Sequence, residues 1–143
     1  MSAVIGENRY GKAKIRVVKV ITEGEKQTIL NYTAKIQLLG DFDSSYVSGD
    51  NSLVVPTDTV KNTVYAKAKE SFNSPEEFSL ILGRHFLARY KHVKQVFVDL
   101  EVTPWKRMII NVNLFFNTFF IFLIVKLTIF IGKRASIFIR KRI

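Results

Sequence analysis

The chain has 143 residues, of which 48% are hydrophobic, a formal net charge of +10 and no cysteine. This length suits one small domain and is short for two, and the lack of cysteine excludes disulfides and thiolate metal sites. The charge is uneven, because residues 1–108 carry 16 basic and 12 acidic side chains whereas residues 109–143 carry six basic and no acidic ones. The basic excess therefore belongs largely to the tail. No nucleic-acid-binding motif accompanies it, so we expect no nucleic-acid partner.

A long β-hairpin is predicted first. Polar and apolar residues alternate over residues 12–21 and, after a turn at 22–26, again over residues 27–40. The apolar face of the second strand is predicted to consist of Leu30, Tyr32, Ala34, Ile36 and Leu38. Lys12 follows the cluster Arg9-Tyr10-Gly11 at the mouth of the first strand. A lysine that is partly removed from water beside a hydroxyl can act as a base, although a solvated strand-end lysine is the commoner arrangement.

A loop over residues 41–56 leads into a predicted helix within the segment VVPTDTVKNTVYAKAKE, residues 54–70. Pro56 disfavours helix at the preceding residue, and Thr57 or Asp58 can then accept from the free N–H groups of the first turn. The apolar residues that recur at about one helical turn are Val60, Val64 and Ala68. The start of such a helix is a natural seat for an anion, with an ordinary N-cap as the alternative.

A second helix is predicted to begin at Ser74-Pro75-Glu76-Glu77, which has the form of a capping box with proline at the first helical position. It should run to about Tyr90 and bury a stripe consisting of Phe78, Ile81, Leu82 and Phe86. Residues 93–102 alternate again and predict a third strand. His85 and His92 fall on the helix flank and in the following loop, and no His, Asp or Glu cluster has ligand spacing, so we expect no metal site.

A hairpin, two helices and a returning strand predict an α+β fold, in which an antiparallel sheet carries both helices on one face. The other face and the sheet edges would be uncovered in a monomer. Surfaces of that kind are usually buried by assembly, so we expect self-association.

The tail breaks this pattern. Residues 109–143 contain nine Ile and seven Phe, a vocabulary that translated AT-rich non-coding sequence also yields. We therefore place a domain boundary at Met108, and two interpretations of the tail stay open: read-through of a truncated gene, or a membrane-associated segment. Residues 109–125 form an uncharged run of 17 residues, just under spanning length. A genuine fourth strand over residues 108–114 is compatible with either interpretation.

Three sequence segments, in the same order along the chain, resemble the amino-terminal half of urate oxidase (uricase). They are the cluster Arg9-Tyr10-Gly11-Lys12, the segment GDFDSSYVSGDNSLVVPTDTVKNTVY at 40–65, and the segment SPEEFSLILGRHFLARYKHVKQVFVDLEVTPWKRM at 74–108. The resemblance covers about residues 8–108 nearly continuously. It implies a tunnelling-fold (T-fold) domain, one of several similar domains that join their sheets around a central barrel. The predicted order of strands and helices agrees with that fold.

The resemblance also implies a chemistry. Enzymes of this family oxidise urate with molecular oxygen to 5-hydroxyisourate and hydrogen peroxide in purine catabolism, with oxygen as co-substrate and without a metal or organic cofactor. By resemblance, Lys12 matches the family's catalytic lysine and Thr57 the threonine that it activates. Asp58 matches the residue whose backbone helps to fix the edge of the purine. The implied partners are urate and further copies of the chain in a homotetramer, and a membrane only through residues 109–143.

The family's arginine, glutamine, asparagine, catalytic histidine and ring-stacking phenylalanine come from the second half of the enzyme, and its site lies between subunits. We therefore expect this chain to supply one wall of a site and to be inactive alone. A non-catalytic oligomerising T-fold module and a membrane-attached remnant are alternatives, while pterin-binding relatives of the fold fit the contexts of Lys12 and Thr57 less well. The family is commonly peroxisomal, but Lys141-Arg142-Ile143 differs from the serine-lysine-leucine type of signal.

Overall fold

The computed structural model describes residues 5–105 in full and, for the backbone alone, four strands beyond residue 105. The long elements are β1 (Tyr10–Glu23), β2 (Lys26–Gly40), α2 (Thr57–Ala68), α3 (Pro75–Arg89) and β3 (Val93–Val102). A short helix α1 (Asp43–Val47) lies between β2 and α2. The remaining strands are β4 (Arg107–Met108), just before the tail, and β5 (Phe119–Phe120), β6 (Val125–Gly132) and β7 (Ile137–Arg142) within it.

Strands β1 and β2 form an antiparallel hairpin whose ladder runs from Tyr10 opposite Leu38 to Glu23 opposite Lys26. The two-residue turn between them includes Gly24 at a φ of 61°, the left-handed conformation that such turns favour and that glycine adopts without strain. The predicted hairpin is confirmed, with the first strand two residues longer than expected at each end and the second beginning one residue earlier.

One five-stranded antiparallel sheet contains most of the strands, in the order β1-β2-β3-β6-β7, while β4 and β5 pair separately. Strand β6 lies beside β3 over its whole length. The register partners of the buried residues Val96, Val98 and Leu100 are Ile131, Ile129 and Leu127. The tail thus contributes two strands to the same sheet as the hairpin.

The core lies between this sheet and helices α2 and α3. On the sheet it includes the fully buried side chains Ala34, Ile36, Leu38, Val96, Val98 and Leu100, and on the helices it includes Val60, Val64, Phe78, Leu82 and Phe86. Alternation along the strands and a helical stripe along α3 put these residues on facing surfaces. The predicted α+β arrangement with two helices on one face is confirmed.

Some local expectations were wrong. The predicted loop over residues 41–56 contains α1, and Ile81 is only partly buried, because it lies at the edge of the stripe formed by Phe78, Leu82 and Phe86. The predicted strand over residues 108–114 falls, after Met108, outside the described residues. Among the described helices, none is both long and apolar enough to cross a membrane.

Candidate functional site

The first three residues of β1 hold Lys12 on the side of the sheet that faces the helices. Tyr10 pairs with Leu38 and Lys12 pairs with Ile36, and both partners are fully buried on that side. Gly11, between them, lies so close to β2 that a Cβ atom there would stand 1.9 Å from the carbonyl oxygen of Ile36. Only glycine therefore permits this approach of the two strands.

A β-bulge follows Lys12. The register shifts between Lys12 and Ile15, so that Ala13 and Lys14 together occupy the space opposite one residue of β2. Lys14 adopts a φ of 57°, a left-handed conformation that costs a lysine about 1–2 kcal/mol. In a regular strand Lys12 and Ile15 would point to opposite faces, but the extra residue lets both face the helices. The alternation pattern alone did not predict this bulge.

The start of α2 lies on the same side. Pro56 is the N-cap residue, with φ and ψ of −54° and 135°, and Thr57 is the first helical residue. No side chain among the described residues caps this helix, so the expectation that Thr57 or Asp58 would do so was wrong. The reason is that both residues already lie inside the helix. Both residues are exposed to solvent.

The charge of Lys12 acts on this helix start. Asp58 forms an ion pair with Lys61 at 3.0 Å. The hydrogen bond and charge of Lys61 lower the pKa of Asp58, and the charge of Lys12 lowers it further. Lys12 and the first turn of α2, which contains Thr57 and Asp58, lie on the same side of the sheet. The catalytic and substrate-binding roles of these three residues stay predictions.

Tyr10 ties β1 to the segment before α2, a role that the sequence analysis missed. Its hydroxyl oxygen accepts from the backbone N–H of Val55 at 2.6 Å and donates to the carbonyl of the same residue at 3.3 Å. Its ring packs edge-on against Phe42, with 4.7 Å between the centroids. The only available signal in the sequence was a hydroxylated aromatic residue two positions before Lys12.

The two histidines occupy packed positions. His85 lies half-buried against Phe86, and desolvation lowers its pKa, with nearby positive charges acting in the same direction. His92 lies between the rings of Phe42 and Tyr90, and its backbone carbonyl accepts from the N–H of Asp41. In the part of the chain that the structure describes, no group of three or more His, Cys, Asp or Glu residues could hold a metal ion.

Together, fold and site define an α+β domain in which Lys12 and the uncapped start of α2 lie on one face of an antiparallel sheet. The family model for uricase matches residues 8–120, so the chain belongs to the uricase family. The match extends past Met108, while the domain boundary placed there stays a prediction.

Individual relatives agree. The chain is 44% identical over 109 residues to the uricase of Dictyostelium discoideum, a match covering 74% of this chain and 38% of that protein. It is 49% identical over 83 residues to the uricase of Arthrobacter globiformis, covering 58% of this chain and 28% of that one. The crystal structure of the latter aligns with a TM-score of 0.85 at 32% identity and covers 99% of this chain. The chain spans under half the length of these relatives and structures.

Proposed function

We propose that this chain forms one wall of a urate oxidase site. The observation that carries the proposal is the placement of Lys12 and the uncapped start of α2 on one side of the sheet. The proposed reaction is oxidation of urate by molecular oxygen with addition of water, in which oxygen is reduced to hydrogen peroxide and the hydroxyl of water joins the purine to give 5-hydroxyisourate. Membership of the uricase family supports that reaction, and the proposed mechanism uses no metal or organic cofactor.

The chemistry suits an anionic purine. The first N–H groups of a helix have no partner within the helix, and the helix dipole favours negative charge at this end. In the proposed mechanism Lys12 accepts a proton from urate through the hydroxyl of Thr57, which leaves an ammonium group beside the urate anion, and the backbone of Asp58 orients the edge of the purine.

This wall is open. Thr57 and Asp58 are exposed, and Lys12 is only partly buried, so the described residues do not enclose a purine. Catalysis depends on holding reactants in a fixed geometry and on groups aimed at the developing charge. We therefore propose that the second half of the family's fold, on a neighbouring subunit of a homotetramer, supplies the opposite wall. The chain alone should not oxidise urate at a useful rate.

The test is fragment complementation. The chain would be refolded in mild detergent, because the apolar composition of residues 109–143 favours aggregation, and assayed for loss of urate absorbance and release of peroxide. We expect no turnover alone and turnover after co-assembly with the second half of the Arthrobacter globiformis uricase. Lys12→Ala should abolish that turnover, whereas Lys26→Ala, at the exposed hairpin end, should retain it.

Two results would contradict the proposal. Turnover by the chain alone at a rate comparable to a full-length uricase would show that one wall suffices. Turnover in the complex that survives Lys12→Ala would remove Lys12 from the mechanism.

A non-catalytic assembly module is the second candidate, and exposed apolar side chains on β1 favour it. Val18 and Val20 are 58% and 54% exposed on this long edge strand. Assembly without turnover in the complementation experiment would favour this candidate. We further propose a peroxisomal location, as expected for the family, which imaging of a fluorescent fusion of the chain would test.

A further inference from the structure

Tyr10 and Lys12 lie two residues apart on β1, so their side chains leave the strand on the same side about 7 Å apart. Both pair with buried residues of β2, which fixes the direction in which each side chain leaves the sheet. The tyrosine hydroxyl forms a hydrogen bond with the backbone of Val55. The charge of Lys12 lowers the pKa of Asp58, which lies three residues after Val55. One short stretch of strand therefore bonds to the residue before α2 and places a positive charge on the side of the sheet where α2 begins.

The Tyr10 hydroxyl bonds to both polar backbone groups of Val55, its N–H and its carbonyl. Val55 itself is only 3% exposed. The ring is held against Phe42, which is 1% exposed, so the hydroxyl has little freedom to move away. Desolvation by burial raises the pKa of Tyr10 above its ordinary value of 10.0, which keeps the phenol in the neutral form that can donate and accept at once.

Only Pro56 separates Val55 from the first helical residue. The proline ring fixes φ near −65° in general, and it is −54° here, so the path from Val55 into α2 has few free torsions. Pro56 has no N–H, and α2 lacks a side-chain cap in the described chain. Among the described residues, Tyr10 is therefore the residue whose side chain fixes the backbone directly before this helix, through its hydrogen bonds to Val55.

We propose that Tyr10 is a positioning residue, which holds the start of α2 over Lys12 through its two hydrogen bonds to Val55. The proposal rests on the proposed function for its catalytic meaning, but its structural claim can be tested without urate. Tyr10 itself need not touch the substrate.

The first test is Tyr10→Phe, which keeps the ring contact with Phe42 and removes only the hydroxyl. Loss of one partner leaves buried backbone groups unsatisfied, so we expect the amides of Val55 and Val60, which are hydrogen-bonded, to exchange with solvent about tenfold faster. Tyr65→Phe, an exposed tyrosine on α2 itself, is the matched control and should leave this exchange unchanged. Unchanged exchange in Tyr10→Phe would overturn the proposal.

A second readout separates positioning from general loosening. The carboxyl pKa of Asp58 would be followed by carbon NMR at low salt with and without Lys12→Met. We expect Lys12→Met to raise the pKa in the otherwise unchanged chain and to have a smaller effect in the Tyr10→Phe background. Equal effects in both backgrounds would show that Tyr10 does not hold Asp58 near Lys12.

Amide exchange of Val55 and the kinetics of the complemented enzyme provide two further tests. If Tyr10→Phe does not fold, the amide of Val55 in the unchanged chain decides, because the proposal requires it to be as protected as the interior of α2, and fast exchange would overturn it. In the complemented enzyme, Tyr10→Phe should lower kcat more than it changes KM. Loss of turnover by Lys12→Ala together with unchanged kinetics of Tyr10→Phe would reject Tyr10 while leaving the proposed function intact.

Discussion

The two long helices begin in opposite ways. Helix α3 is capped by its own sequence: the hydroxyl of Ser74 accepts from the N–H of Glu77 at 3.1 Å, and the carboxylate of Glu77 accepts from the N–H of Asn73 at 2.8 Å. Helix α2 follows Pro56 with no side-chain cap among the described residues. Its preceding residue is held instead from the sheet, by Tyr10.

A capped helix start favours stability, whereas an uncapped one favours binding of an anion. A side-chain cap satisfies N–H groups that a ligand would otherwise use, so a capped start is stable but closed to an anion. An uncapped start keeps those groups available and depends on other elements to hold it in place. The first arrangement fits a helix that only packs, and the second fits a helix that forms one wall of a site.

The largest expected effect comes from disturbing the pairing of β1 with β2, because β1 carries the residue that holds the start of α2. Gly11→Ala would drive a Cβ atom into the backbone of Ile36, so β1 must move away from β2. We expect a loss of about 1–3 kcal/mol in the free energy of unfolding, the usual cost of overpacking. Urea unfolding measures it, and Gly6→Ala is the control, because nothing in the described chain lies within 4 Å of a Cβ atom there. Equal stabilities of the two variants would contradict the close approach.

The next prediction compares a variant that removes a helix cap with one that removes none. Ser74→Ala removes the cap of α3 and should cost about 1 kcal/mol of unfolding free energy. Thr57→Ala removes no cap and should change stability by less than about 0.5 kcal/mol, yet it should abolish urate turnover in the complemented enzyme. A larger loss of stability in Thr57→Ala than in Ser74→Ala would reverse the comparison.

Relief of strain at the bulge should have a smaller and opposite effect. Lys14 is left-handed, and glycine adopts that conformation freely, so Lys14→Gly gains about 1–2 kcal/mol and loses about 0.5–1 through the freer unfolded chain. The net increase in unfolding free energy should be about 0.5–1 kcal/mol. Lys14→Ala keeps the strain and should show no such gain in thermal unfolding. Stabilisation by alanine as large as by glycine would mean that the backbone conformation is not the cause.

The smallest expected effect concerns the charge at the start of α2. Lys61 first, and Lys12 to a lesser degree, lower the pKa of Asp58 below its ordinary value of 3.8. A depressed carboxyl pKa in the folded state contributes stability above the unfolded pKa, and that contribution is lost as the pH falls through the folded pKa. Lys61→Met should raise the pKa of Asp58 in NMR titrations, while Lys67→Met, on the last turn of α2, should not. A shift of equal size in both variants would point to a general charge effect.

Much of the fold was predictable because local signals agreed with one another. The predicted third strand over 93–102 coincides with β3, since strict alternation marks a half-buried strand. Ser74 caps α3 as predicted, because serine, proline and glutamate at that spacing act within one turn of chain. Such features depend on neighbours in sequence.

Features that depend on distant contacts were not predictable. The bulge at Lys14 reflects how β1 must meet β2, and the role of Tyr10 needs Val55, 45 residues away. The alternation of Val125, Leu127, Ile129 and Ile131 was obscured by a tail rich in Ile and Phe throughout, but β6 pairs with β3. For the site, the sequence supplied Lys12, Thr57 and Asp58 through family resemblance, and the structure adds that Lys12 lies on the face of the sheet that packs against the helices.

The central claim is that urate binds at the uncapped start of α2 and not at the capped start of α3. Hydrogen exchange followed by mass spectrometry, on the chain assembled with the second half of the Arthrobacter globiformis uricase, tests it directly. Addition of urate should slow exchange in peptides that contain residues 57–60 and leave those that contain residues 75–78 unchanged, and Lys12→Ala should remove the protection. Equal protection of both helix starts, or none at residues 57–60 in an assembly that turns over urate, would contradict the account.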